Sequence, residues 1–320
     1  ANQMAMVVYT SGTTGQAKPL AKSLGCILDG AKINTAIFSD TFGLAADGLI
    51  ATVPPWHMYG LEWSVFLPFF VNAPAYCGST LFPGDIAAAC HLVGERSVLV
   101  TTPHHLRALM HAKTPVDDLC HVITATAPLA DELAKAVIGR VNGKLLEIYG
   151  CSEAGSVASR EPAVADGFRF SPAFHATTNA DVTTLRADHI ADRVELSDVL
   201  EFASSGAFQI VGRSAELIKV AGKRASLAAL NELLLAIDFV LDGAFYHSGD
   251  DSERLAVVAV IDPAQSHRSA QDIREALSGS IEPAFMPRKI KLVSELPRNP
   301  TGKLLQNDLR RIVTATSDSA

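Results

Sequence analysis

Between Leu49 and Tyr149, short runs of strand-forming residues alternate with stretches of helical periodicity, and this alternation is the tightest constraint on the fold. Residues 49–53, 97–102, 121–124 and 145–149 read as strands, the first buried and stopped by Pro54-Pro55. Helical patterns fill 86–93, 106–111 and 131–141, a further helix follows Gly60, and 75–77 read as a short strand. Such a βα alternation predicts an α/β domain with a largely parallel sheet. Ligands of such sheets collect outside the carboxyl ends of the strands. Residues 7–9 also read as a strand, and Tyr9 and Tyr149 each end a strand directly before a small polar loop. Ser23 is positioned to cap a helix running through Cys26, Ile27, Ala31, Ile33 and Ile37, with residues 39–41 ending it.

After Gly167 the character changes. Residues 182–187 and 193–196 alternate polar with apolar, as half-exposed antiparallel strands do. Ser205-Gly206 makes a turn into a strand at 207–211. From about Ser214 a smaller α+β unit is expected. In it Ser226 caps a helix with Leu227, Leu230, Leu233, Leu234 and Ile237 on one face. Strands at 243–246, 255–261 and 289–293 and a helix at 271–277 complete it. The expected division is therefore residues 1–213 and residues 214–320.

The chemistry begins at Tyr9-Thr10-Ser11-Gly12-Thr13-Thr14-Gly15-Gln16-Ala17-Lys18. Gly12 and Gly15 permit backbone torsions that other residues resist. Such a loop turns several N–H groups inward on an anion. The hydroxyls of Thr10, Ser11, Thr13 and Thr14 add donors, and Lys18 adds positive charge, which suits a polyphosphate. The loop is not a Walker A motif, which ends in Gly-Lys-Ser/Thr, whereas Ala17-Lys18-Pro19 stands here. A polar surface turn would not require glycines and hydroxyls at this density.

A net charge of −7 argues against a nucleic-acid binder, and 48% hydrophobic with 19% charged residues describes a globular chain with a filled core. The five cysteines (Cys26, Cys77, Cys90, Cys120, Cys151) form no C-x-x-C pair, as expected of reduced thiols in a cytoplasmic protein. No apolar run approaches the ~20 residues of a membrane span, and no signal peptide is evident. Taken alone, Tyr149-Gly150-Cys151-Ser152-Glu153 is an ordinary strand–loop junction with a solvated Glu. Its hydroxyl and carboxylate also suit a phosphate and Mg²⁺, which takes one or two carboxylates plus phosphate oxygens.

The glycine and hydroxyl loop resembles the phosphate-binding signature of the adenylate-forming enzymes, the acyl- and aryl-CoA ligases, luciferases and nonribosomal adenylation domains. Later stretches resemble the same family in the same order. Tyr149-Gly150-Cys151-Ser152-Glu153 resembles its Tyr-Gly-x-Thr-Glu, with Ser152 for Thr. Ala125-Thr126-Ala127-Pro128-Leu129 resembles its Gly-Gly-Ala-Pro-Leu with both glycines replaced, which implies Thr126 and Ala127 along the adenine. Asp198 matches the family Asp on the ribose hydroxyls, and Arg213 the ribose and phosphate contact before the domain junction. Residues 216–224 resemble the loop opening a mobile C-terminal domain, with Gly222 along the pantetheine tunnel. Pro297-Arg298-Asn299-Pro300-Thr301-Gly302-Lys303 resembles the loop that presents the adenylation lysine. His57 falls where the family carries an aromatic or His near the acyl pocket, with Glu62 and Trp63 beside it. Two departures are plain: Ala215 replaces the hinge acid, and Ala229-Leu230-Asn231 replaces Glu-Ile-Glu.

The resemblance implies a large α/β domain, with a parallel sheet and a small antiparallel subdomain, followed by a smaller mobile α+β domain. It implies ATP and Mg²⁺ as cofactors and CoA or carrier-protein phosphopantetheine as acyl acceptor. Lys303, Ser152 and Glu153 are the expected catalytic groups, with Glu153 on the metal. A small carboxylic acid, aryl or medium acyl, is the expected substrate, and any acyl carrier protein acts in trans. Family members carry well over ~100 residues before the phosphate loop, more than a short domain, so the expectation is a truncated piece, a mis-called start, or one part of a split enzyme whose N-terminal segment is supplied separately. The contrasting expectation is a truncated or split-enzyme remnant that binds nucleotide or an acyl partner without turnover. A third is an adenylating enzyme that never uses CoA and has no need of Gly222.

Overall fold

The computed structural model describes residues 3–10, 18–43, 46–112, 114–116, 118–165, 167–179, 181–213, 217–248, 254–297, 304 and 306–315. Contacts divide the chain into two compact units, Ala1–Leu196 with Leu200–Gln209, and Ser197–Val199 with Ile210–Ala320. Among the described residues no helix is long and apolar enough to cross a membrane.

In the first unit β1 (Met4–Thr10) and β2 (Lys18–Ser23) form a two-stranded antiparallel hairpin closed by the Thr10–Lys18 pair. The strand ending at Tyr9 therefore pairs with β2 instead of joining the parallel sheet. Ser23 caps α1 (Leu24–Phe42), its Oγ accepting from the Cys26 N–H at 3.1 Å. The helix passes the stop expected at residues 39–41, because Phe38, fully buried, and Phe42 stack edge-on one turn apart at 5.1 Å. Gly43, at φ +78°, ends it.

The central sheet has six strands. β3 (Gly48–Ala51), β4 (Ser97–Thr101), β5 (Leu119–Thr124) and β6 (Leu145–Cys151) lie side by side and parallel. β7 (Gly155–Arg160) and β8 (Arg169–Phe170) extend it antiparallel. Residues 75–77 contribute only a single bridge, Ala75 to Leu49. Strand alternation places Leu99 and Val122 on one face and Val98, Val100 and Ile123 on the other. The first face packs against α4 (Pro83–Val93), α5 (Pro103–His111) and α6 (Asp131–Ile138) through Ile86, Leu106, Leu133 and Val137. The second packs against Phe38 of α1 and against Tyr59, Trp63, Leu67 and Val71. Tyr59 lies on α2 (Met58–Gly60), Trp63 on a π-helical stretch Leu61–Phe66 and Val71 on α3 (Pro68–Val71), with Leu67 joining the last two. Gly60 must be glycine, since a Cβ there would lie 2.1 Å from the Pro54 carbonyl oxygen.

A small antiparallel sheet follows, β9 (His175–Asn179), β10 (Val182–Arg186) and β11 (Val194–Glu195). β12 (Asp198–Phe202) and β13 (Phe208–Arg213) form a hairpin whose tip falls in the first unit and whose open ends fall in the second.

The second unit opens with the hairpin β14 (Leu217–Val220) and β15 (Lys223–Ser226). Ser226 caps α7 (Leu227–Leu235), whose buried face is Leu227, Leu230 and Leu234; Leu233, expected there, is 36% exposed. β16 (Val240–Tyr246) and β17 (Ala256–Ile261) pair antiparallel, and β18 (Lys289–Leu292) joins β17 parallel. α8 (Ala270–Ser278) contributes Ile273 and Leu277 to the core with Phe245 and Val257. α9 (Gln306–Thr314) packs Leu309 with Tyr246, Val258 and Leu296. The mixed architecture is the α/β class that the strand–helix alternation predicts.

Candidate active site

Four parallel strands present their carboxyl ends along one edge of the sheet, and the polar loops follow there. After β3, Thr52 Oγ1 lies 2.7 Å from Thr101 Oγ1 at the end of β4. His57 comes next in the chain, at the N-cap of α2. Its ring is solvent-accessible yet crowded, and this partial burial lowers its pKa. Tyr59 is buried and donates its hydroxyl to the Ile123 carbonyl at 2.9 Å, which fixes α2 over β5.

β5 delivers Thr126 and Ala127, both exposed. Thr126 holds φ at +80°, an uncommon conformation for a non-glycine residue. The stretch is pinned by the Leu129 N–H, which donates to Glu147 Oε1 at 3.2 Å. Glu147 is itself buried in β6 and paired with Arg160, so the ion pair that holds it also holds the Thr126 loop. Burial raises the Glu147 pKa, against the lowering effect of Arg160.

β6 carries Tyr149 and Gly150 into the turn of Ser152 and Glu153. Tyr149 is buried against Phe168 and Phe208, each ring centroid 5.9 Å away. Gly150 lies so close to β7 that a Cβ would sit 2.2 Å from the Gly155 carbonyl oxygen. The turn is therefore tight, with Ser152 half-buried and Glu153 exposed. The Cys151 thiol beside it is pushed up to about 12 by burial. Because β5 and β6 are adjacent and parallel, the Thr126–Ala127 stretch and the Ser152–Glu153 turn emerge side by side.

Behind the turn lies a buried polar network that the motifs do not announce. Lys22 of β2, 4% exposed, donates from Nζ to the Glu153 carbonyl at 2.5 Å. Glu62, 3% exposed, accepts at Oε2 from the Ser156 N–H at 3.1 Å and from Ser156 Oγ at 2.7 Å. Trp63 Nε1 donates to the same hydroxyl at 2.9 Å. Glu62 and Trp63, expected to line a pocket beside His57, are instead committed to this interior. Burial raises the Glu62 pKa, while Ser156, Asn34 and the Lys22 charge favour the ionised form. The buried Asn34 amide has neither polar atom in a hydrogen bond, so its influence on Glu62 is that of a nearby dipole.

Other expected residues fall elsewhere. The hairpin β1–β2 flanks the loop expected to bind phosphate, with Thr10 and Lys18 as its last paired residues. The side chains of Thr10 and Lys18, and Ser11, Gly12, Thr13, Thr14 and Gly15 entirely, lie outside the described residues, as does Ala215. Asp198 begins β12, and Arg213 ends β13 with its side chain outside the described residues; both belong to the second unit. Gly222 follows Ala221 at the exposed tip of β14–β15, with φ values of +52° and +81°, the pattern of a two-residue hairpin turn. Asn231 accepts the Phe245 N–H at 2.6 Å, a structural use for this departure from Glu-Ile-Glu. Lys303 lies outside the described residues, but Leu296 before it and Leu304 after it both pack against the β16–β17 and α9 core.

Among the described residues no cluster of three or more His, Cys, Asp or Glu could hold a metal by itself. Mg²⁺ bound through phosphates needs only one or two carboxylates, and the exposed Glu153 suits that role.

Comparison with known proteins agrees with this geometry. The family model described as AMP-binding enzyme matches residues 1–182. The 4-coumarate–CoA ligase of Cereibacter sphaeroides is 27% identical over 301 residues, covering 92% of this chain and 69% of that protein. That of Halorhodospira halophila is 28% identical over 302 residues, covering 92% and 73%. Among solved structures, O-succinylbenzoate coenzyme A synthetase from Bacillus subtilis in complex with AMP superposes with a TM-score of 0.84 at 16% identity, over 97% of this chain and 69% of that one. ATP-bound MatB from Rhodopseudomonas palustris gives 0.79 at 19% identity, over 97% and 68%. The chain belongs to the AMP-binding enzyme family, as an acyl/aryl-CoA ligase-like member of the adenylate-forming superfamily.

Proposed function

We propose that this chain activates a carboxylic acid, aryl or medium acyl, with ATP and Mg²⁺, and passes the acyl group to the thiol of CoA or of a carrier-protein phosphopantetheine. The observation that carries the reading is the pairing of the Thr126–Ala127 stretch and the Ser152–Glu153 turn on adjacent parallel strands, at one edge of the sheet. Ligands of α/β sheets bind at that edge.

In the first step a carboxylate oxygen attacks the α-phosphorus of ATP, and the bond to pyrophosphate breaks. The residue 10–15 loop and Lys18 cradle the phosphates, and the Ser152 hydroxyl donates to one of their oxygens. Glu153 would hold the Mg²⁺, whose charge would offset that of the departing pyrophosphate. Thr126, Ala127, Tyr149 and Gly150 frame the adenine, Asp198 accepts from the ribose hydroxyls, and Arg213 contacts ribose and phosphate. Lys303 stabilises the charge on carboxylate and α-phosphate as they meet. His57 borders the acid. In the second step the thiolate attacks the acyl carbonyl and AMP leaves, with Gly222 giving the thiol its path. The reading takes residues 214–320 as the domain that moves between the steps, withdrawing Lys303 and delivering Gly222.

Carboxylate-dependent ATP–pyrophosphate exchange, run over a panel of aryl and medium-chain acids beside Lys303→Ala, tests the proposal. Exchange with some acid and its loss in the variant is the expected result, and the acid that supports it names the substrate class. A folded chain that binds ATP and exchanges with no acid would overturn the reading in favour of a binding remnant.

A further inference from the structure

The buried network behind the Ser152–Glu153 turn joins three segments that the proposed reaction needs in register. Lys22 lies on β2, the strand that leaves the phosphate loop. Glu62 lies on the π-helical stretch that follows His57 and Tyr59. Both reach the same turn, Lys22 at the Glu153 carbonyl and Glu62 at Ser156. The geometry of the receiving end leaves little slack. Gly155 adopts φ +78°, and a Cβ there would sit 2.2 Å from Glu62 Oε1. The Ser156 hydroxyl donates to Glu62 and accepts from Trp63.

A buried ammonium and a buried carboxylate are costly to desolvate and persist only where hydrogen bonds satisfy them. A surface turn carrying a solvated Glu has no use for two such groups. Their expense is explained if the backbone at Glu153 must be held at a fixed place.

We propose that Lys22 and Glu62 are positioning residues that hold the residue 151–156 turn at two points, the Glu153 carbonyl and Ser156, and so set where Glu153 meets the metal–nucleotide complex. The inference rests on the adenylating function proposed above. Lys22 fixes the turn relative to the phosphate-loop hairpin, and Glu62 fixes it relative to the helix at His57. Neither side chain touches substrate. Groups that orient a metal-binding residue are worth about 10–100-fold in metal affinity when removed.

The test is calorimetric titration of ATP, with and without Mg²⁺, into the full chain and into Glu62→Gln and Lys22→Met. Glu62→Gln keeps the shape and an acceptor for the Ser156 N–H while removing the charge, so folding is retained. Far-ultraviolet dichroism and the emission of buried Trp63 check that each variant is folded. The expected result is a loss of about ten-fold or more in MgATP affinity, with a smaller loss for metal-free ATP. Glu153 acts on the nucleotide only through the metal, so a merely structural role would weaken both forms alike. Losses in the double variant that fall short of the product of the singles would mark a shared clamp. Equal losses with and without Mg²⁺, or unchanged MgATP binding, overturn the inference. A wild-type chain that binds no ATP and exchanges no pyrophosphate overturns the functional reading and this inference with it. A wild type that exchanges beside variants with unaltered MgATP binding overturns this inference alone.

Discussion

Glu147 and Arg160 stand opposite each other on β6 and β7, and Arg160 Nε reaches Glu147 Oε2 at 2.5 Å with both side chains largely out of water. The guanidinium carbon also lies 5.0 Å from the centre of the Phe168 ring, which binds the pair to the aromatic cluster beneath Tyr149. Removing one partner of a buried pair strands the other charge, at a cost of about 3–5 kcal/mol. Arg160→Met is therefore expected to lower the unfolding free energy by that order. Glu147→Gln is expected to cost a comparable amount, because a Gln oxygen on the Leu129 N–H turns the amide N–H toward the Arg160 guanidinium. Urea unfolding of the two variants measures both, and an Arg160→Met chain as stable as the wild type would sink the account.

The aromatic cluster makes a second prediction. Phe208 is 1% exposed and meets Tyr149, Phe168, Phe170 and Phe202, with its ring centroid 4.5 Å from that of Phe170. Phe208→Ala should cost about 3–5 kcal/mol, whereas Phe208→Leu, which keeps most of the volume, should cost much less. Equilibrium unfolding separates the two, and equal costs would show that packing of the ring is not what the cluster supplies.

The parallel strands and their helices are legible in sequence because each is a compact apolar run between clear stops. The site loops are legible because small residues and hydroxyls cluster at the strand ends. β2 is not legible, since Lys18-Pro19-Leu20-Ala21-Lys22-Ser23 carries few strand-forming side chains and gains its form by pairing with β1. β7 is hidden likewise behind Gly155 and small residues. Lys22 and Glu62 escape notice for a different reason: neither belongs to a local motif. Their partners lie 131 and 94 residues away, and only tertiary contact gives them a role.

Two glycines with nearly the same torsion should respond differently to a methyl group. Gly155 has φ +78° and Gly222 φ +81°. A Cβ at Gly222 meets nothing within 4 Å, so Gly222→Ala bears only the left-handed penalty of about 1–2 kcal/mol. Gly155→Ala adds a collision with Glu62 Oε1, 2.2 Å from the new carbon. It should lose clearly more, and combining it with Glu62→Ala should recover the steric part while leaving the torsional part. Unfolding midpoints of the variants decide this, and matching losses at the two glycines would refute it.

Stability should fall on the acid side of neutrality, with His121 as one cause. Its Nδ1 accepts the Lys144 N–H at 3.1 Å, and its ring lies 4.5 Å from that of Phe42. Protonating Nδ1 removes the acceptor. Burial lowers its pKa in the fold from 6.5, and the Lys144 charge lowers it further. The unfolded chain then binds the proton more readily, so this contribution is complete above pH 6.5 and is lost as pH falls from there through the folded value. His57, His105 and His189 are shifted in the same direction, chiefly by burial. Glu62 and Glu147 are raised from 4.5, so their contribution has the opposite sign, present below 4.5 and lost as pH rises through their folded values. As pH falls below 6.5 each of these histidines is able to contribute a slope of up to about 1.4 kcal/mol per pH unit. Urea midpoints should decline over that range, and more gently in His121→Gln. Parallel pH profiles for variant and wild type would show that His121 does not carry the effect.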